Sequence, residues 1–192
     1  MSLPLTNINA EWSLFLDRDG VINERIVGGY VKHCAQFVLL PGVVEAMKIF
    51  SELFGHVFVV TNQQGIGKGL MTDDELTVVH NFMTDEIEKG GGQINRIYYS
   101  PHLESEHHPT RKPAPGMALQ AKKEFSTLCF NRSVMAGDSI SDMVFGKNLG
   151  MTTVFISDDL KQCRENFNRI DYCFPSLYEF AQYLYKNILW NL

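Results

Sequence analysis

Six short apolar runs, near residues 12–17, 56–61, 94–99, 133–137, 152–157 and 171–174, alternate along this chain with stretches of helical periodicity. A short apolar run followed by an amphipathic helix reads as a strand buried on both faces. Repeated alternation of the two builds a mostly parallel sheet with right-handed crossovers and helices on either side. The expected fold is therefore α/β, a three-layer α/β/α Rossmann-like architecture. The stretch from Pro41 to Phe54 puts Val43, Met47, Phe50 and Phe54 on one helical face, with Pro41 suited to a helix start. Thr72 with Glu75, and Ser176 with Glu179, have capping-box spacing and open two further helices. Gly90-Gly91-Gly92 reads as a loop between a helix and the third strand.

The 192 residues and 45% hydrophobic content suit one domain spanning 1–192 with one continuous core. Two connections exceed the ordinary length, 23–40 and 100–110; neither is long enough for a separate cap domain, and both fall where loops carry function. The net charge of −5 and the lack of a basic block argue against a nucleic-acid surface. Cys34, Cys129, Cys163 and Cys173 form no Cys-x-x-Cys pair, so neither a disulfide framework nor a cysteine zinc knuckle is expected. No apolar run of the length needed to cross a bilayer occurs, and no secretory leader pattern opens the chain. A cytoplasmic monomer is the expected setting, and Ser2-Leu3 reads as a remnant of cloning.

The chemistry concentrates where the strands end. Asp17-Arg18-Asp19-Gly20 follows the first run and places two carboxylates two residues apart, on one side of a strand end. Such a pair repels unless a cation lies between its members or one keeps a proton, which is the layout of a phosphoryl-transfer nucleophile. The same four residues also suit a polar strand-to-turn exit. Three further signals follow in order: Thr61-Asn62-Gln63-Gln64-Gly65 after the second run, Arg111-Lys112-Pro113 before a helix, and Asp138-Ser139-Ile140-Ser141-Asp142 after the fourth. Asp138 reads as a third carboxylate for a Mg²⁺ site or as an Asx turn. Asp142 reads as a helix-start carboxylate paired with Ser139.

Together these motifs resemble the haloacid dehalogenase-like phosphohydrolase superfamily over nearly the whole chain. With Gly29-Tyr30-Val31, Ile97-Tyr98-Tyr99 and Pro101-His102 they look like its heptose 1,7-bisphosphate and histidinol-phosphate phosphatase branch. The resemblance implies a Mg²⁺-dependent phosphomonoesterase acting on a small phosphorylated metabolite through an aspartyl-phosphate. Asp17 would be the nucleophile and Asp19 the acid and base, the latter keeping its proton part of the time beside the ionised Asp17. Asp17, Asp138 and the Asp19 main-chain carbonyl would hold the metal. Lys112 and Thr61 would stabilise the transferring phosphoryl group. Tyr30, Asn62, Gln63, Gln64 and Arg111 match positions that line the substrate, a heptose bisphosphate before histidinol phosphate or a broader set.

Two departures stand out. Members of the branch commonly carry a zinc loop of three cysteines and a histidine, where this chain has Ser100, His102, His108 and Thr110. Serine and threonine are poor zinc ligands, so structural zinc is expected to be absent, with His102, His107 and His108 as polar loop residues. Packing and hydrogen bonds must then hold that loop. Ser139 stands where a lysine often follows the metal aspartate. Gly65-Ile66-Gly67-Lys68-Gly69 fails the P-loop pattern, because Asn62 replaces its first glycine and Gly69 replaces the Ser or Thr after the lysine. A non-catalytic phosphometabolite-binding protein is the alternative outside the enzymes.

Overall fold

All six runs form strands in the computed structural model, which describes residues 5–189; Ser2 and Leu3 lie outside them. These are β1 (Ser13–Leu16), β2 (His56–Asn62), β3 (Arg96–Ser100), β4 (Ser133–Gly137), β5 (Thr152–Ile156) and β6 (Tyr172–Phe174). They lie in the order β3-β2-β1-β4-β5-β6, and each described pairing is parallel. Helices α1 (Val43–Leu53), α2 (Asp73–Lys89), α3 (Gly116–Glu124), α4 (Ile140–Asn148), α5 (Leu160–Glu165) and α6 (Leu177–Leu184) connect and cover them.

The two-residue alternation of strand side chains divides the core. Leu14, Leu16, Val57, Val59, Val134 and Val154 face α1, α2 and α6, whereas Phe15, Phe58, Val60 and Met135 face Met117 and Ala121 of α3 and Phe145 of α4. On the second face Phe58 sits 5.0 Å from the Phe15 ring and 4.9 Å from Phe125. Both faces of the sheet are therefore filled, which explains why the strands read as unbroken apolar runs.

Helix starts follow local chemistry. Thr72 and Glu75 form the full reciprocal capping box, and Ser176 Oγ accepts from the Glu179 amide. The cap of α1 is Gly42 at φ 74°, with Pro41 one residue earlier. The long connection from 23 to 40 is pinned by a bridge between Asn23 and Leu39. Among the described residues no helix is long and apolar enough to cross a membrane.

The cysteine reading needs correction. Cys163 and Cys173 are bonded across 10 residues, because the sheet lays β6 beside the segment carrying α5. A pairing made by tertiary adjacency leaves no short spacing signal.

The strand order reverses between β1 and β4, where chain crossovers run to opposite sides and open a crevice at the strands' carboxyl ends. Register puts Leu16 beside Ala136, and the Asp17 amide donates to the Ala136 carbonyl at 3.0 Å. The residues leaving both strands are thus held side by side. Because Phe58 is fully buried between strand and helix layers, Phe58→Ala should lower unfolding free energy by about 3–5 kcal/mol, read as a lower denaturant midpoint at unchanged m-value.

Candidate active site

At that crevice Asp17, Asp138 and Asp142 each place one carboxylate oxygen within 4.8 Å of the others. Asp17 leaves β1, Asp138 leaves β4, and Asp142 sits in the first turn of α4. Gly20 permits the crowding: at φ 89° it lies so close that a Cβ would stand 2.0 Å from Asp138 Oδ2. Asp142 keeps the capping role read from the sequence, its Oδ2 accepting from the Ser139 amide at 3.1 Å and hydroxyl at 2.6 Å. Its Oδ1 faces Lys112.

Lys112 is the buried counter-charge. Its Nζ lies 2.9 Å from Asp17 Oδ1 and 2.6 Å from Asp142 Oδ1, and donates to the Val60 carbonyl at 2.6 Å. Asn62 at the end of β2 fixes the loop that carries it, accepting from the Lys112 amide at 3.0 Å and donating to its carbonyl at 3.1 Å. Burial disfavours the ammonium, but Asp142 and Asp17 outweigh that and hold its pKa above the usual lysine value.

One lysine does not neutralise three carboxylates. Burial first, then the charge of Asp142, pushes Asp17 up to about 6 against the pull of Lys112. Burial and then Asp17 push Asp138 up to about 7, against Arg25. Crowded, partly desolvated oxygens that resist ionisation are the donor set a hard dication would relieve, so these residues fit Mg²⁺.

Asp19 behaves differently. Its carboxylate accepts from Arg18 Nη2 at 2.9 Å on both oxygens, from Asn23 Nδ2 at 3.0 Å and from Gln63 Nε2 at 2.9 Å. Burial would raise its pKa, but the Arg18 charge and these donors win and hold it below the usual value. The expectation that the neighbouring Asp17 charge keeps a proton on Asp19 part of the time meets an opposing pull: the donors around Asp19 favour its ionised form, and Asp17 is the carboxyl pushed up. The main-chain carbonyl of Asp19 faces Arg25, whose Nη2 donates to it at 3.0 Å and to Asp138 Oδ1 at 2.7 Å.

Arg18 and His80 escaped the sequence reading. Arg18 is fully buried, and its Nη1 donates to His80 Nε2 of α2 at 3.1 Å. Burial and the neighbouring guanidinium hold His80 down at about 3, so it stays neutral and accepts. The two are 62 residues apart, beyond any local pattern.

A cleft of about 440 Å³ opens over the carboxylates. Asp17, Thr61 and Lys112 form its buried floor, and Tyr30, Lys68 and Arg111 lie at its more exposed rim. Asn62 and Gln64 line it as well. Gln63 does not: it is 1% exposed and bonds to Asp19 and to Thr61 Oγ1 at 2.9 Å, so its expected contact with substrate gives way to a role in holding Asp19. By accepting that bond, Thr61 has its hydroxyl proton to donate into the cleft. Lys68 Nζ lies 5.6 Å from the Tyr30 ring centroid. Arg111 Nη1 donates to the His102 carbonyl at 3.2 Å, tying the rim to the loop from 100 to 110. That loop is closed by side-chain bonds, Ser100 Oγ to Thr110 Oγ1 at 3.1 Å and His108 Nδ1 to Thr110 Oγ1 at 2.7 Å, with His102 Nδ1 paired to Glu106 at 2.9 Å.

Known proteins resemble this chain in sequence and in fold. Residues 109–180 match the family described as HAD-hyrolase-like. The chain is 35% identical over 171 residues to D-glycero-alpha-D-manno-heptose-1,7-bisphosphate 7-phosphatase of Mycobacterium bovis, covering 89% of this chain and 90% of that one. It is 34% identical over 173 residues to the D-glycero-beta-D-manno-heptose-1,7-bisphosphate 7-phosphatase of Helicobacter pylori, covering 85% and 98%. The structure of D,D-heptose 1.7-bisphosphate phosphatase from B. bronchiseptica, complexed with magnesium and phosphate, superposes with a TM-score of 0.82 at 24% identity, covering 91% of this chain and 98% of that chain.

The raised pKa of Asp138 makes a signed prediction. An acid bound to its proton more tightly when folded than when unfolded loses stabilising effect as pH rises from about 4 through about 7. With chelator present, Asp138→Asn should therefore gain stability relative to wild type across that window, by on the order of a few kcal/mol, and the difference should level off above it. His80 acts in the opposite sense, adding stability as pH rises from about 3 to 6.5, but does so in both proteins and cancels. Denaturant titrations at stepped pH check this.

Proposed function

Because this chain belongs to the haloacid dehalogenase-like phosphohydrolases, in their heptose bisphosphate phosphatase branch, and is a phosphoric monoester hydrolase, we propose that it removes the 7-phosphate of D-glycero-D-manno-heptose 1,7-bisphosphate through a phosphorylated Asp17, with Mg²⁺ bound. The observation that carries this reading is the pairing of a buried aspartate, 2.9 Å from a buried lysine, with a cationic rim on the same cleft. The floor takes the reacting phosphate. The rim takes the remote one.

Uncatalysed phosphomonoester hydrolysis is so slow that enzymes supply up to ~10²¹-fold acceleration, and a covalent route divides the barrier. Asp17 attacks phosphorus as the bond to the sugar oxygen breaks, and Asp19 gives that oxygen a proton. Water then attacks phosphorus, Asp19 takes its proton, and Asp17 is released with inorganic phosphate. The lowered pKa of Asp19 suits the second half-cycle, in which it acts as base. For the first, the leaving oxygen must enter its ring of donors so that the carboxyl can carry a proton.

Lys112 and the Thr61 hydroxyl stabilise the charge that develops on the phosphoryl oxygens. Asp17, Asp138 and the Asp19 carbonyl would hold Mg²⁺, which supplies charge neutralisation between the anionic nucleophile and phosphate. Asn62 acts by fixing the Lys112 loop. Tyr30, Gln64 and Arg111 contact the sugar and its second phosphate, for which the arginine fork is suited. Residues 1–192 act as one catalytic domain.

Two measurements test this. Asp17→Asn keeps the shape but removes the nucleophile, and should lower phosphate release by at least about three orders of magnitude with the fold retained; substantial residual turnover would refute the role. Over a panel of both heptose bisphosphate anomers, sugar monophosphates, histidinol phosphate and a simple aryl phosphate, kcat/KM should be highest for a heptose bisphosphate. Arg111→Ala should cost about 1.5–3 kcal/mol in transition-state stabilisation for that substrate and less for the aryl ester. A higher kcat/KM for histidinol phosphate, or an equal Arg111 effect on both substrates, would overturn the substrate reading.

A further inference from the structure

Arg25 belongs to the connection between β1 and α1, and the substrate reading, which uses Tyr30 of that connection, gives Arg25 no role. Its Nη2 spans two oxygens, the Asp138 carboxylate at 2.7 Å and the Asp19 carbonyl at 3.0 Å. Those are two of the oxygens assigned above to Mg²⁺. The Arg25 side chain is 47% exposed and sits in the stretch 24–29, all of it solvent-facing and ending in Gly28 at φ 71° and Gly29. Its guanidinium thus reaches the carboxylates from the outside, on an exposed turn held at its start by the Glu24 amide, which donates to the Val38 carbonyl at 2.8 Å, and the Glu24 carbonyl, which accepts from Asn23 Nδ2 at 2.8 Å. Lys112 differs, being buried among Asp17, Asp142 and the Val60 carbonyl, and tied through Asn62.

We propose that Arg25 is a displaceable internal counter-cation, which occupies the outer half of the metal site by bridging Asp138 and the Asp19 carbonyl and must leave for a divalent cation to bind. The physical reason is local. Asp17, Asp138 and Asp142 repel one another at under 4.8 Å, and the buried lysine engages only Asp17 and Asp142. Asp138 needs a second cation. A guanidinium meets that need with two charge-assisted hydrogen bonds, holding both oxygens aimed at a common point. A dication bound to the same two oxygens would stand against the guanidinium, and like charges at contact distance exclude each other. Because the Arg25 contact is partly exposed, its worth is modest, and so is the barrier it sets against the metal.

The inference rests on the metal-site part of the function proposed above, and the experiment separates the two. Mg²⁺ and Mn²⁺ are titrated calorimetrically into substrate-free wild type, Arg25→Ala and Lys68→Ala. Lys68→Ala removes a cation from the same cleft whose Nζ lies over the Tyr30 ring instead of the carboxylates, and serves as the control for long-range charge. Arg25→Ala should bind either metal about three- to tenfold more tightly than wild type, while Lys68→Ala stays within about twofold. In wild type, the side-chain Nε resonance of ¹⁵N-labelled Arg25 should shift as metal is added. Equal affinity of wild type and Arg25→Ala, or equal tightening by Lys68→Ala, overturns the displacement while leaving the metal site intact. Absence of metal binding in every protein overturns the metal site and the inference together.

Discussion

Three carboxylates crowded at the ends of two neighbouring parallel strands are the constraint on which this molecule depends. Asp17 and Asp138 are side by side because β1 and β4 pair in register where the strand order reverses, and Asp142 joins them because β4 ends at Gly137 and Ser139 caps α4 two residues later. No side chain could occupy Gly20, and a Cβ on Gly137 would stand 2.4 Å from Asp142, so the crowding is written into the backbone on both sides. Uncompensated, such a cluster would protonate or push itself apart. The surrounding structure supplies compensation from below through Lys112 and from outside through Arg25.

The two aspartates of the first motif are separated by environment more than by distance. Asp17 faces low polarity and like charge and is pushed up; Asp19 is turned into a ring of donors from Arg18, Asn23 and Gln63 and is pulled down. Behind that ring the buried Arg18 leans on a neutral His80, so α2 takes part in setting the carboxylate's orientation. The lowered value of Asp19 serves the half of the cycle in which it acts as base, and the raised value of Asp17 is the one that a bound cation would bring down. The orientation of Asp19 is defined by residues that never touch the cleft.

What could be read in the chain beforehand followed from periodicity and local chemistry. The six strands, the Thr72 capping box and the Ser139–Asp142 pairing rest on short-range patterns, whereas the grouping of Asp17, Thr61, Lys112 and Asp138 followed from the resemblance of the ordered motifs to a known superfamily. The residues that went unseen depend on tertiary adjacency. His80 lies on a helix face indistinguishable from core, Arg25 sits in a polar turn without periodicity, and Cys163 meets Cys173 only because β6 docks at the sheet edge. Gln63 illustrates a finer limit. Its neighbours Asn62 and Gln64 line the cleft, whereas the alternation of the extended chain turns Gln63 inward to Asp19 and Thr61. The loop from 100 to 110 could be read as lacking the three cysteines of the branch's zinc loop; that Ser100, His108 and Thr110 close it by bonding to one another required the structure.

The central claim is that Asp17 itself carries the phosphoryl group. Borohydride added during turnover of the heptose bisphosphate reduces an acyl phosphate to an alcohol, and peptide mass spectrometry then locates the change. The account predicts homoserine at position 17, dependent on substrate and on added Mg²⁺, with Asp19, Asp138 and Asp142 unaltered. Steady phosphate release with Asp17 unmodified, or reduction at any of the other three aspartates, would contradict it.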